Sequence, residues 1–313
     1  MRVLIIGAGA IGVAMGTFLR SQDVEVDFIA RGETAKAIRE KGIHRTGLFG
    51  EYDAQAGCFE HYKELPESSY DYVIVSTKTM ANESISEELS KVAHIFKKNG
   101  KIVIMQNGWG TAMPYLKYFP KEQVYNARVI TGFQRVEANI SNITVHTAPV
   151  LLGSLCGEDP SCMEPLQKAL NAGGIPTEVS TEIGKFLWAK MLYNTTLNPL
   201  GAILGVNYGK LMESPASKSI MDQLIVETFQ VMDAYGYETN WKTAEEYQEV
   251  FYQKLIPDTY NHRASTLQDI EKKQKTEIDT LNGCIVELAK EKGISVPTHE
   301  MIVKLIKSLE DNF

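Results

Sequence analysis

The opening of the chain leaves it few ways to fold. Arg2-Val3-Leu4-Ile5-Ile6 is a short apolar run rich in β-branched residues, as a central parallel strand requires. Gly7-Ala8-Gly9-Ala10-Ile11-Gly12 follows, and a helical stretch runs on to about Ser21. In such a turn Gly7 permits the tight reversal, Gly9 lets backbone approach a pyrophosphate and Gly12 lets the helix pack close to the strand. The helix start then offers unpaired N–H groups to phosphate. A second strand over residues 24–30 supplies the context that makes this glycine pattern a dinucleotide-binding one. The stretch from Val3 to Leu19 carries no charge and lies between Arg2 and Arg20, so it superficially mimics a secretory signal. Its glycines would weaken a hydrophobic helix, and it is short for a membrane span.

The end of the second strand decides which dinucleotide is expected. An NAD site usually carries Asp or Glu there for the ribose 2′-hydroxyl, whereas this chain has Ala30-Arg31-Gly32. Arg31 suits a 2′-phosphate, and the missing carboxylate removes a repulsion. NADP(H) is therefore the expected cofactor, although Arg31 also reads as a solvated loop residue. Asp27 alternates with Val26 and Phe28 inside the strand and is expected on an exposed face. A strand over 72–76 ends at Thr77-Lys78, and one over 102–105 ends at Gln106-Asn107-Gly108-Trp109-Gly110. Ligands gather beyond the carboxyl ends of strands in such sheets, which singles out Lys78 and Asn107. Asn107-Gly108 equally suits an ordinary turn. Shorter β-like runs at 142–146 and 150–155 look like antiparallel additions to the sheet.

With 313 residues, 44% hydrophobic and 23% charged, the chain can build two domains with a core each. A net charge of −7 and the lack of a basic stripe argue against nucleic acid as a partner. Glu271-Lys272-Lys273-Gln274-Lys275 reads as the solvated face of a helix. Cys58, Cys156, Cys162 and Cys284 are scattered and form no metal-ligand spacing with the six histidines, so no metal site is expected. Reduced thiols in a cytoplasmic protein, with no membrane association, are the simplest account.

After Gly173-Gly174-Ile175-Pro176 the pattern becomes helical, over 182–205, 215–235, 243–255, 260–292 and 298–310, with Pro257, Gly293 and Pro297 as punctuation. The expected architecture is an α/β Rossmann-type domain with a mostly parallel sheet over 1–180, then an all-α domain over 181–313. In the first of these helices, residues 188–199 place Lys190, Asn194 and Asn198 four apart in an otherwise apolar stretch. On a helix this makes one polar ladder that drifts about 40° per step. A cation and two amides on such a face suggest a polar small-molecule site. The spacing also suits a snorkelling lysine with amides that bridge neighbouring helices. Further on, Ser265 and Asp269 share a helix face, and Glu277 falls three turns later, about 120° round from Ser265 if the helix is continuous. Asp279 is expected to be a surface or inter-helix partner.

At these residues the chain resembles the ketopantoate reductase (2-dehydropantoate 2-reductase) family, nearly end to end. The resemblance is carried by Gly7-Ala8-Gly9-Ala10-Ile11-Gly12, Arg31, Thr77-Lys78 and Asn107-Gly108-x-Gly110. It is carried more specifically by Trp188-x-Lys190-x3-Asn194-x3-Asn198-Pro199 and by Ser265-x-Leu267-Gln268-Asp269 with Thr276-Glu277-Ile278-Asp279. It implies a catalytic Lys190 with Glu277 completing the polar network. Asn107, Asn194, Asn198 and Ser265 would hold the 2-oxo acid. Arg31 and Lys78 would help the Gly7 to Gly12 turn hold NADPH, with Asn107 and Glu277 also reaching the cofactor. The implied reaction reduces 2-dehydropantoate to pantoate on the way to coenzyme A, in an enzyme that could act as a homodimer. Hydride delivered to a ketone puts negative charge on its oxygen, which an ammonium can stabilise and protonate.

Some positions depart from the family pattern. Where a Gly-Ala step and a glycine-rich turn are common, this chain has Thr131-Gly132-Phe133 and His146-Thr147-Ala148-Pro149. Phe133 stands where a small residue usually faces the nicotinamide. His262 takes a polar position, and Thr266 one that is often Met. A paralogue acting on another 2-oxo acid, or an NADP(H) sensor without turnover, are the competing expectations; the Lys190–Glu277 pair favours an enzyme.

Overall fold

The computed structural model describes every residue from Met1 to Phe313. The chain separates into two compact units: Met1–Gln106 with Thr111–Ile183, and Asn107–Gly110 with Gly184–Phe313.

The first unit is built on one sheet. Its strands are β1 (Arg2–Ile6), β2 (Glu25–Ile29), β3 (Ile43–Gly47), β4 (Tyr52–Ala54), β5 (Gly57–Phe59), β6 (Tyr70–Val75), β7 (Phe96–Ile104), β8 (Val124–Glu137), β9 (Ile140–Gly153) and β10 (Thr177–Val179). They lie in the order β4-β3-β9-β8-β7-β6-β1-β2-β5, with β10 beside β9. From β5 through β2, β1, β6 and β7 to the start of β8 every pairing is parallel. The helices are α1 (Ala10–Arg20), α2 (Gly32–Lys41), α3 (Asn82–Lys91), the short α4 (Met113–Leu116) and α5 (Glu164–Ala172).

Both faces of the parallel strands are covered, which is why β1 is apolar at successive positions. Val3 and Ile5 join Phe18 and Phe28 in one buried cluster, while Leu4 and Ile6 join Val73, Ile85 and Leu89 in another. This corrects the placing of Asp27 on an exposed face. Its carboxylate is buried, accepting from Arg2 Nε at 2.8 Å and from the Tyr70 hydroxyl at 2.9 Å. In a sheet sandwiched on both sides, alternation sends a side chain to the opposite cluster rather than to water. The β-like runs after residue 124 are also longer than their sequence suggests. They form one hairpin of two 14-residue strands, antiparallel to each other, which β8 joins to the parallel strands through β7.

The second unit is helical: α6 (Ile183–Leu204), α7 (Tyr208–Glu213), α8 (Pro215–Tyr235), α9 (Ala244–Val250), the one-turn α10 (Ile256–Asp258), α11 (Ser265–Glu271), α12 (Asn282–Lys292) and α13 (Pro297–Glu310). Trp188, Leu192, Leu224, Tyr247 and Ile285 belong to its buried apolar core. No helix in the protein is long and apolar enough to cross a membrane.

Two features of this unit bear on the site. Pro199 lies inside α6 and has no N–H for the carbonyl of Thr195, one turn back. The side-chain amide of Asn282, fully buried at the start of α12, donates to that carbonyl at 2.9 Å instead. Asn282 thereby ties the segment after Glu277 to the helix that carries Lys190.

The second feature is a correction: the helix expected over 260–292 is not continuous. α11 ends at Glu271, Lys273 adopts a φ of +53°, and a 3-10 turn (Ile278–Thr280) precedes α12. The break carries neither Gly nor Pro, and the backbone N–H groups of Lys272 and Gln274 close it by turning back to the carbonyl of Asp269. Glu277 therefore lies in a loop, and no helical phase relates it to Ser265.

Candidate active site

In the first unit, Gly7 holds a φ of +104°, and a Cβ there would strike Thr77 at 2.7 Å. Gly12 packs more closely still, with the Gly7 carbonyl against the place where its Cβ would stand. Gly9 differs: nothing lies within 4 Å of where its Cβ would be, and it opens α1 with no side-chain cap and no acidic residue in the first turn. This is backbone left open for an anion. Ala8 is buried beneath the turn, while Ala10 and Ile11 are half-buried. Arg31 is exposed at the carboxyl end of β2, just before α2, and Lys78 is exposed at the carboxyl end of β6. Strands β6, β1 and β2 are neighbours in the sheet, so Lys78, the glycine turn and Arg31 share one rim. The rim is braced from below. Gln106 Nε2 donates to the Thr77 carbonyl at 2.9 Å and forms a reciprocal amide pair with buried Asn82.

In the second unit, Lys190, Asn107 and Glu277 come together although Asn107 is 83 residues from Lys190 and 170 from Glu277. Lys190 Nζ donates to Asn107 Oδ1 at 2.6 Å, and Asn107 Nδ2 donates to Glu277 Oε2 at 3.3 Å. All three side chains are half-buried. The amide is thus polarised from both ends, with an ammonium on its oxygen and a carboxylate on its nitrogen.

Trp109 explains how residue 107 joins this unit. Its ring packs on Trp188 and Tyr237, with centroids 4.8 and 5.0 Å away, and its backbone N–H donates to Thr280 at 3.1 Å. Between them Gly108, at φ +98°, has Thr280 against the place a Cβ would take. Asn107-Gly108 is therefore a turn as well as a site element. Glu277 is steadied from the other side. Thr276 donates through both N–H and hydroxyl to buried Glu310, at 2.8 and 2.7 Å. Against the upward push of burial, those bonds hold the Glu310 carboxyl below the usual carboxylate range.

The rest of the polar ladder is split. Asn194, one turn beyond Lys190 on α6, is buried. Asn198 accepts a close hydrogen bond from the Tyr208 hydroxyl. Full burial pushes the Tyr208 phenol well above its ordinary pKa, so it stays a donor. With its oxygen engaged, Asn198 presents its NH2 to whatever lies beside it. Ser265 is the exposed first residue of α11 and shares no hydrogen bond with Lys190, Asn107 or Glu277. Asp279 is a surface residue paired with Lys307 at 2.6 Å, while Asp269 is buried. Tyr208, Trp109 and Glu310 carry no sequence signal of these roles, because each acts through a contact between separate elements that no helical or strand spacing reveals.

Comparison with known proteins bears on this arrangement. Residues 3–155 match the family model "Ketopantoate reductase PanE/ApbA", and residues 182–310 match its C-terminal counterpart. A 2-dehydropantoate 2-reductase of Aquifex aeolicus is 38% identical over 99% of this chain and 97% of its own length. The chain belongs to the ketopantoate reductase family. A solved structure of a 2-dehydropantoate 2-reductase from Geobacter metallireducens covers 98% of the chain, and the chain covers 99% of it, at a TM-score of 0.88 and 21% identity. D-mandelate dehydrogenase, solved with NADH and anilino(oxo)acetate, covers all of the chain at a TM-score of 0.87 and 24% identity. These two likenesses establish a shared fold.

Within this family the departures noted above acquire positions. Phe133 sits on β8 opposite Ile143 and packs, partly buried, on the first apolar cluster. His262 is exposed and lies with its ring 4.9 Å from that of Tyr208, the residue that orients Asn198. Thr266 is buried in the first turn of α11.

Proposed function

We propose that this chain reduces 2-dehydropantoate to pantoate with NADPH, with Lys190 as the proton donor. The observation that carries the reading is the Lys190–Asn107–Glu277 arrangement. The open backbone at Gly9, the uncapped start of α1 and exposed Arg31 and Lys78 on the same rim fit a phosphorylated dinucleotide. NADPH, when bound, supplies the hydride.

The chain's own residues do the rest. As the ketone carbon takes the hydride and its C=O double bond becomes single, negative charge gathers on oxygen. The Lys190 ammonium stabilises that charge and gives up a proton to it, leaving a neutral amine and a hydroxyl. Asn107 fixes the direction of Nζ and links it to the Glu277 carboxylate. The NH2 of Asn198, the Asn194 amide and the Ser265 hydroxyl are neutral groups suited to the carboxylate and hydroxyl of the substrate. They bind without competing for the proton.

Residues 1–180 act in this reading as the NADP-binding domain, including the turn from Gly7 to Gly12, Arg31 and Lys78. Residues 181–313, joined by Asn107, act as the substrate domain. We propose a cytoplasmic enzyme for which a homodimer is one candidate assembly, and analytical ultracentrifugation of the purified chain reads its oligomeric state. The ring of His262 against Tyr208 favours one second reading, a reshaped pocket that takes a different 2-oxo acid.

The deciding experiment follows NADPH oxidation with 2-dehydropantoate and with a panel of other 2-oxo acids. Lys190→Ala is expected to lower kcat by about 10²–10⁴-fold while NADPH affinity is nearly kept. Near-normal turnover of that variant removes the role of Lys190. Activity on another acid alone transfers the assignment to the second reading. Tight NADPH binding without turnover on any acid makes the protein a sensor.

A further inference from the structure

The end of β2 carries no acidic residue, but the structure brings a carboxylate there from elsewhere. β5 runs parallel to β2 with Phe59 opposite Ile29, and the N–H of Ala30 donates to the Phe59 carbonyl at 3.2 Å. The next residue, Glu60, therefore lies beside Arg31 and Gly32. Both of its oxygens are engaged by α2, one from the last turn of the helix and one at its first residue. Oε1 accepts from Arg39 NH2 at 2.7 Å, and Oε2 from the Gly32 N–H at 3.4 Å. The backbone on the other side is pinned, because the N–H groups of Glu60 and His61 both donate to Glu64 at 3.3 Å. Arg39 and the Gly32 N–H hold the Glu60 carboxyl below the usual range, so it is ionised at neutral pH.

Arg31 and Gly32 stand where a dinucleotide site of this fold receives the ribose 2′ position. At that place the chain offers two guanidinium groups and one backbone N–H to an anion, and Glu60 already engages one of those guanidiniums and the N–H. We infer that Glu60 sets cofactor specificity in this protein by holding down its preference for NADPH over NADH. The inference rests on the cofactor-site reading given under Proposed function.

The argument is one of charge and hydrogen-bonding type. A 2′-phosphate that reaches Arg31 meets the negative Glu60 and must compete with it for Arg39 and the Gly32 N–H. A 2′-hydroxyl instead finds an acceptor, the role an acidic residue at the end of β2 fills in NAD sites. One carboxylate thus penalises one cofactor and favours the other. The group is exposed, so salt weakens the effect without reversing its sign.

Glu60→Gln keeps the shape and removes the charge, at a surface position outside the apolar core. The test measures dissociation constants of NADPH and NADH separately, by cofactor fluorescence at low ionic strength, for the full chain, E60Q and R31A. The ratio of NADPH to NADH affinity is expected to rise about tenfold in E60Q, which corresponds to about 1.4 kcal/mol. Tighter NADPH and weaker NADH should both contribute. In R31A the ratio should fall, because NADPH loses its phosphate partner. If R31A lowers the ratio but E60Q leaves it within twofold of the parent, Glu60 does not discriminate and the inference is wrong, while the cofactor site stands. If neither variant moves the ratio, the 2′ position is bound elsewhere, and both the site reading and this inference fall.

Discussion

Removing the amide of Asn282 should expose the weakness that Pro199 builds into α6. Asn282 is fully buried and donates to the Thr195 carbonyl at 2.9 Å and to His299 Nδ1 at 3.0 Å. Asn282→Ala strands both acceptors, and each buried, unsatisfied group costs about 1–3 kcal/mol, so the pair should cost about 2–6 kcal/mol. The small cavity adds roughly another 1 kcal/mol. The decisive control is Pro199→Ala, which gives residue 199 an N–H able to reach the same carbonyl. In the Asn282→Ala background it should recover about 1–2 kcal/mol more than it gains in the parent, a coupling that a double-mutant cycle isolates. Urea unfolding followed by far-ultraviolet circular dichroism reads all four proteins, since helices dominate the signal of the second unit. Strict additivity would refute the reasoning, because the two residues would then not share the Thr195 carbonyl.

Two further expectations test neighbouring parts of the unit. Asn107→Leu removes the group that links Lys190 to Glu277 and should lower kcat by about 10²-fold through misplacement of the ammonium, with folding intact. Steady-state kinetics within twofold of the parent would dismiss that role. His299 is buried among Leu224, Thr228 and Asn282, and burial pushes its pKa from 6.5 down to about 4. The unfolded chain therefore binds a proton that the native one refuses. The stability this residue contributes is full above pH 6.5 and is lost as pH falls towards 4, by about 3 kcal/mol in all. Replacing His299 with Gln should flatten the unfolding midpoint between those two pH values; an unchanged slope would mean another group titrates.

Local sequence carries much of this protein because parts of its logic are local. β1, the glycine turn and α1 form one continuous stretch, and the backbone conformation at Gly7 is written in the residue itself. The helical spacing of Lys190, Asn194 and Asn198 is equally readable, since α6 runs unbroken through all three. Tertiary structure decided what those residues do. It broke the helix before Glu277 without a Gly or Pro to announce it, and it buried Asp27, whose alternation suggested a solvent face. Trp109 packed against Trp188 drew Asn107 to the lysine, and a neighbouring strand delivered Glu60 to the end of β2, 28 residues from Gly32. Periodicity records which way a side chain leaves its own backbone. Which charge or amide it meets depends on chain segments far apart in sequence, and only packing brings those together.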